Sequence, residues 1–130
     1  AAEGVLAEVV KAACAEHAAE EQSHQDMLAE RITQLGGKPD LDPTTAVERG
    51  HATYGTVGDL RAMIEEDLLA ERIAIQTYRE AIQGIGDSDP TTRRILETIL
   101  AQEEEHADDL ASLLNDPRLK DDGAAHAARR

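Results

Sequence analysis

The stretch EEQSHQDMLAERITQLGGKP, residues 20–39, decides the fold. Its apolar residues, Ile32 and Leu35 among them, recur at steps of three and four, which is the period of an amphipathic helix. A Gly-Gly-x-Pro sequence follows, which is a common stop signal for a helix. Glu21 and His24 occupy the apolar side, where aliphatic residues normally stand. The stretch therefore predicts a long helix whose buried face carries two side chains able to bind a metal.

The same helical period continues before this stretch and returns twice further along the chain. Asp89 and Pro90 suit the N-cap and the first position of the last helix. Between the first two helices, segment 38–58 contains two prolines and three glycines and has no sustained period, so it predicts a long crossover connection. The predicted helices lie at about 3–35, 59–83 and 90–114.

These elements predict one all-α domain, a helical bundle, at residues 1–117, followed by a polar tail at 118–130. The composition agrees, because aromatic residues make up only 2% of the chain and neither Trp nor Phe occurs. A core built from aliphatic side chains favours helices over sheet. A bundle of this kind normally has four helices, so the three predicted here leave one flank open.

The charge and the cysteine content exclude several classes of function. A formal net charge of −14 disfavours binding to nucleic acid, whose phosphates the surface would repel. The single cysteine, Cys14, allows no internal disulfide, and the sequence shows neither an apolar run of spanning length nor a secretion signal. We therefore expect a cytoplasmic protein with no membrane segment and no nucleic-acid partner.

A second Glu-x-x-His pair, Glu103 and His106, lies on the apolar side of the third helix, and Glu71 occupies the same kind of position alone on the second. Residues three apart on a helix share one face, so each pair can serve one metal centre. Three carboxylates and two imidazoles that face one another across a bundle are typical of a site for two metal ions. Hard oxygen ligands with one imidazole per metal favour iron, with manganese as the alternative.

The alternative to metal binding is an internal network of salt bridges or hydrogen bonds. Buried carboxylates in such a network would need basic partners, and the apolar sides of the three helices hold no Lys or Arg. Two divalent ions would neutralise the three carboxylates and leave one positive charge over. We therefore favour metal and expect a fourth acid near the site.

Several other polar residues stand near these positions. His17, one turn before Glu21, is interpreted as a core or rim histidine rather than a ligand. Glu16 and Glu20 are interpreted as a solvated helix face, with a role in iron entry or nucleation as the alternative. A further Glu-x-x-His pair at 48–51 lies in the glycine-rich connection and is interpreted as a solvated loop feature.

Three segments resemble the bacterioferritin branch of the ferritin-like superfamily. Residues 20–39 resemble the second helix of that family, DLLAERIAIQTYREAI at 67–82 the third, and ILETILAQEEEHADDL at 95–110 the fourth. The resemblance covers nearly the whole chain and implies a ferritin-like bundle with a long crossover. The family's first helix, which normally contributes another Glu ligand, has no counterpart here. Three of the expected four helices are present, so the catalytic competence of the chain as given stays open.

The resemblance implies a ferroxidase and iron-storage protein that oxidises Fe²⁺ with O₂ or H₂O₂ at a site for two irons and that forms a homo-oligomer. Gln22 stands where haem-binding members carry Met, so no haem is expected. Two alternatives are another di-metal enzyme, such as a peroxidase or a manganese catalase, and a non-enzymatic helical assembly module with an incomplete site. By position, the residues implied as catalytic metal ligands are Glu21, His24, Glu71, Glu103 and His106.

Overall fold

The computed structural model describes residues 2–41 and 57–119, and within these two ranges every regular element is helical. The all-α prediction is confirmed. None of the long helices combines the length and the apolar character needed to cross a bilayer. In chain order these helices are α1 (Ala2–Gln34), α2 (Val57–Ile85) and α3 (Pro90–Leu114).

The end of α1 lies one residue before the predicted position 35. Gly36 takes a positive φ of 84°. The amides of Gly36 and Gly37 donate to the carbonyls of Thr33 and Ile32 at 3.0 and 2.9 Å. This pair of bonds is a Schellman motif, which ends a helix sharply because glycine adopts the left-handed conformation without steric cost.

α2 is longer at both ends than predicted. It begins at Val57, so Gly58 belongs to its first turn rather than to the crossover, and it continues through Gly84 to Ile85. A glycine inside a helix costs about 1 kcal/mol relative to alanine but does not by itself end the helix. The end comes at Gly86, whose φ of 53° is a conformation that few other residues adopt.

α3 begins at the predicted residue because Asp89 caps it. The Asp89 carboxylate accepts a hydrogen bond from the amide of Thr92 at 3.1 Å, and Pro90 fills the first helical position. In the last turn of α1, the Arg31 guanidinium donates to Asp89 at 3.1 Å and to the Thr92 hydroxyl at 2.9 Å. These bonds fix the end of α1 against the start of α3.

The order of contacts gives the direction of each helix. His24 meets Glu103 and, further along α1, Arg31 meets Asp89, so α1 and α3 are antiparallel. α2 and α3 are antiparallel neighbours joined by the short turn 86–89. α1 and α2 therefore run parallel and need a crossover, of which residues 42–56 lie outside the described part. α3 packs against both other helices, and most extensively against α2.

The core is aliphatic, but two predictions at its edges were wrong. Ile32 and Leu35 are 39% and 61% exposed, because α1 extends past the start of α3 there. Leu119 was placed in the polar tail but is fully buried, because its amide bonds to the carbonyl of Asp116 and turns the chain back over the core. The buried apolar residues are Leu6, Val10, Leu60, Ile64, Leu68, Ile75, Leu96, Ile99, Leu110 and Leu119.

Candidate metal centre

The structure brings the five predicted ligands together between the helices. α1 contributes Glu21 and His24, α2 contributes Glu71, and α3 contributes Glu103 and His106. All except Glu21 are buried, with at most 3% of their surface exposed. The side chain of Glu21 is 35% exposed. Four of the five ligand candidates are therefore shielded from water, and Glu21 forms the solvent-facing edge.

The distances show how closely the ligand candidates approach one another. One ligand atom from each of Glu21, Glu71, Glu103 and His106 lies within 4.8 Å of all the others. Nδ1 of His106 is 3.8 Å from Oε1 of Glu21 and of Glu71. Nδ1 of His24 lies beside that group, 3.0 Å from Oε1 of Glu103 and 3.9 Å from Oε1 of Glu21. Glu21 thus lies within 3.9 Å of both imidazoles, and Glu103 lies 3.0 Å from Nδ1 of His24 and within 4.8 Å of a ring nitrogen of His106.

Each imidazole is oriented by a side chain from the opposite helix. Nε2 of His106 donates to the carboxylate of Glu20, and Nε2 of His24 donates to the amide oxygen of Gln102. These acceptors place the ring proton on Nε2 and leave the lone pair of Nδ1 facing the carboxylates. Histidines that bind metals in proteins are usually held in this way.

Within the part of the chain that the structure describes, three buried polar atoms at the centre have no hydrogen-bond partner: Oε2 of Glu71, Oε2 of Glu103 and Nδ1 of His106. Each such atom costs about 1–3 kcal/mol when it is left unpaired. In the described ranges, the ion-pair partners of the central acids are histidines and never Lys or Arg. The internal salt-bridge alternative therefore lacks its basic partners, whereas divalent cations fit the donor set.

The crowded acids shift two pKa values. Burial, followed by hydrogen bonds and repulsion from Glu71 and Glu21, raises the pKa of Glu103 to about 10. The metal-free site therefore holds a proton at neutral pH, and Glu103 can donate it to Nδ1 of His24. Burial, followed by the charges of the same three acids, raises the pKa of Tyr78, which lies two turns after Glu71 on α2 and stays a neutral phenol.

Two residues contact the ligand histidines in a way that the sequence patterns did not predict. Glu20 was interpreted as part of a solvated face, but its carboxylate, although 35% exposed, is directed to His106. Gln102 was not considered, and it contacts His24. Each of the two directly precedes the glutamate of a Glu-x-x-His pair. That position becomes informative only when the two helices are known to lie antiparallel and in contact.

His17 lies at the rim, outside the group of converging ligand atoms. Its ring stacks on His106 with centroids 4.1 Å apart, and its Nε2 is 3.4 Å from the carboxylate of Asp109. His17 therefore supports the outer face of His106, in agreement with its interpretation as a core or rim histidine. The Glu-x-x-His pair at 48–51 falls outside the described residues.

Residues 2–119 match the family described as Ferritin-like domain. The chain belongs to the ferritin-like family. The resemblance found in the three segments is thereby confirmed, and the three long helices are those of a ferritin-like bundle. Proteins of this family handle iron, and the cluster of carboxylates and imidazoles in this ferritin-like chain is of the kind that can hold a metal.

Two curated relatives resemble this ferritin-like chain. A bacterioferritin from Rhodobacter capsulatus is 30% identical over 101 residues, which cover 77% of this chain and 58% of the relative. A nutrient stress-induced DNA-binding protein from Synechococcus sp. is 33% identical over 104 residues, which cover 76% of this chain and 58% of the relative. The match thus spans little more than half the length of either relative.

Proposed function

We propose that this ferritin-like chain is a ferroxidase that takes part in iron storage and detoxification. The observation that supports the proposal most is the meeting of three carboxylates and two imidazoles, all buried except Glu21, without a basic partner among the described residues. Such a group of acids is stable only when cations or protons neutralise it. The proposed iron ligands are Glu21, His24, Glu71, Glu103 and His106.

Fe²⁺ is the substrate in this proposal. Carboxylate oxygen and imidazole nitrogen suit Fe²⁺, and the negative charge of the carboxylates favours the more highly charged Fe³⁺ product. Two Fe²⁺ release two electrons, which with two protons reduce one O₂ to H₂O₂ or one H₂O₂ to two water molecules. Because the metal-free site holds a proton on Glu103, iron binding releases that proton.

We propose a role for each of the five residues from its position. Glu21 and Glu103 each lie close to both histidines, so we assign them as the carboxylates that two irons share. Glu71 lies close to His106 and serves that iron alone. The position at His24 has one carboxylate fewer. We propose that an acid on a further helix, which the four-helix plan of the family provides, completes it.

The surface supports assembly into a homo-oligomer. Leu69 and Ile73, one turn apart on α2, are 60% and 61% exposed. Large apolar side chains that lie next to each other on a surface commonly mark a contact with another protein. Light scattering on the purified protein should therefore give a mass of several subunits. A monomer at every concentration would contradict this part of the proposal.

Anaerobic titration with Fe²⁺, followed by exposure to O₂ or H₂O₂, tests the ferroxidase. We expect two Fe²⁺ bound per subunit and a rise in ferric absorbance after the oxidant is added. Glu103→Gln removes a buried acid and should abolish both results, whereas Glu104→Gln removes an adjacent, 47% exposed acid and should keep them. Absence of two-iron binding in the wild type would defeat the proposal, and binding without oxidation would support the assembly module instead.

Metal analysis of protein purified from its own host separates the enzyme alternatives. Iron would support the ferroxidase, and manganese would support a catalase or another di-metal reaction at the same ligands. The Synechococcus relative is named a DNA-binding protein. For this chain we propose no DNA partner, because its net charge of −14 opposes phosphate binding. Retention of the protein on DNA at physiological salt would contradict that expectation.

A further inference from the structure

The two Glu-x-x-His segments exchange hydrogen bonds across the bundle. Glu20 on α1 accepts from Nε2 of His106 on α3, and Gln102 on α3 accepts from Nε2 of His24 on α1. Glu20 and Gln102 occupy the same place in the two segments, directly before the glutamate of each pair. The two histidines are therefore held in the same way, but by groups of different charge.

The charge of the acceptor affects how strongly a histidine binds a cation. A carboxylate attracts the Nε2 proton, raises the electron density on Nδ1, and stabilises the positive charge that the ring takes from a bound ion. An amide oxygen is only a neutral dipole and has a weaker effect. Glu20 thus makes His106 the stronger ligand. It also supplies the fourth negative charge that three carboxylates lack against two divalent ions.

We propose that the two ion positions are unequal, with the position at His106 filled first and at least about ten times more tightly than the position at His24. The inference rests on the proposed function, because it uses the same residues as ligands. It explains the unequal affinities by the pairing of His106 with the Glu20 carboxylate and of His24 with the Gln102 amide. The position at His24 fills last and empties first.

Anaerobic titration of the intact chain with Co²⁺, followed by calorimetry and visible absorption, tests the order of filling. Co²⁺ serves as a redox-stable probe whose absorption reports its coordination. We expect two binding steps of unequal affinity. Glu71→Gln should remove the tight step, because Glu71 lies beside His106. His24→Ala should remove the weak step and leave the tight one.

A matched pair of variants tests the cause. Glu20→Gln gives both histidines an amide, and Gln102→Glu gives both a carboxylate. The first should weaken the tight step about tenfold, and the second should tighten the weak step about tenfold. Glu16→Gln removes the same charge from an exposed side chain one turn earlier on α1 and should leave both steps unchanged. Circular dichroism of each variant checks that the helices are retained.

Three outcomes would overturn the inference while two-ion binding, and with it the proposed function, still holds. They are equal affinities in the wild type, an unchanged tight step in Glu20→Gln, and loss of the tight step in His24→Ala. Failure of the wild type to bind any Co²⁺ would instead contradict the proposed function and the inference together.

Discussion

The two Glu-x-x-His segments, 20–24 on α1 and 102–106 on α3, have the same spacing but different surroundings. In the α3 segment Glu103 and His106 are both buried. In the α1 segment Glu21 is 35% exposed. The spacing determines which atoms meet, whereas the neighbouring helices determine how well those atoms are shielded from water. Shielding matters because charges interact more strongly where the local dielectric constant is low.

The difference arises from the packing order of the helices. α3 packs against both α1 and α2, so its ligands are covered on two sides. Among the described residues α1 packs mainly against α3, and Glu21 lies on the solvent-facing flank of α1. Water can reach a ligand position on that flank but not one in the middle. The two segments should therefore respond differently to the loss of a carboxylate.

Replacing Glu103 and Glu21 by glutamine, one at a time, measures how differently the two segments respond to the loss of a carboxylate. We expect Glu103→Gln to lower the affinity for Mn²⁺ at the His106 position about 100-fold, because water cannot replace a carboxylate that is only 2% exposed. Glu21→Gln should lower it only about tenfold, because solvent can enter the vacated coordination position. Anaerobic calorimetric titration with Mn²⁺ gives both affinities.

Glu104→Gln is the matched control for this pair. Glu104 follows Glu103 directly, is 47% exposed and forms an ion pair with Arg79 at 3.6 Å. Its replacement should leave the Mn²⁺ affinity at the wild-type value. Equal losses in Glu103→Gln and Glu21→Gln would show that burial does not distinguish the two segments.

The pH dependence of stability reports on the buried segment. The pKa of Glu103 rises from 4.5 in the unfolded chain to about 10 in the metal-free fold. Between these values the unfolded chain binds fewer protons, so this group lowers the free energy of unfolding as the pH rises, by at most about 1.4 kcal/mol per pH unit. The stability that Glu103 contributes through its raised pKa is fully present below pH 4.5 and is lost as the pH approaches about 10.

Denaturant unfolding of the metal-free wild type and of Glu103→Gln at about pH 6 and about pH 8 measures this effect. The stability of the wild type relative to the variant should fall as the pH rises. Saturating Mn²⁺ should reverse the trend, because the ion binds the carboxylate and displaces the proton. A constant difference between the two proteins would contradict the raised pKa.

Much of the fold could be predicted from local patterns. The start of α3 was predicted at the right residue because Asp89 and Pro90 act within one turn of the helix. The ends of α2 were not predicted at the right residues. Gly58 and Gly84 lie in ordinary helical backbone, and the change to positive φ occurs at Gly86. A glycine ends a helix through its conformation, which its presence in the sequence does not reveal.

The residues of the candidate site could likewise be predicted only in part. The five proposed ligands could be found because each lies on an apolar helix face at a spacing that sequence shows. The roles of Glu20 and Gln102 could not be found in this way, because each accepts a hydrogen bond from a histidine of the other helix. Such a pairing depends on the register between two helices, about 80 residues apart in sequence, which periodicity within one helix does not contain.

Arg31 holds that register at one end of the site. It donates to Asp89 at 3.1 Å and to Thr92 at 2.9 Å, and the hydrogen bonds from Thr92, followed by Arg31, lower the pKa of Asp89. Arg31→Ala should lower the melting temperature by about 2–4 °C, because the ion pair is partly exposed. Lys11→Ala removes an exposed pair with Glu8 and should leave the melting temperature unchanged.

Arg31→Ala should also weaken both ion positions in the Co²⁺ titration, and the position at His106 more strongly. A shift of α1 along α3 moves Glu20 away from His106 and Gln102 away from His24. Because the lost carboxylate contact contributes more than the lost amide contact, the ratio of the two affinities should fall below its wild-type value. Weakening of only one position would show that each histidine is held by its local neighbours. The alignment of the two segments would then not depend on the contact at the end of α1.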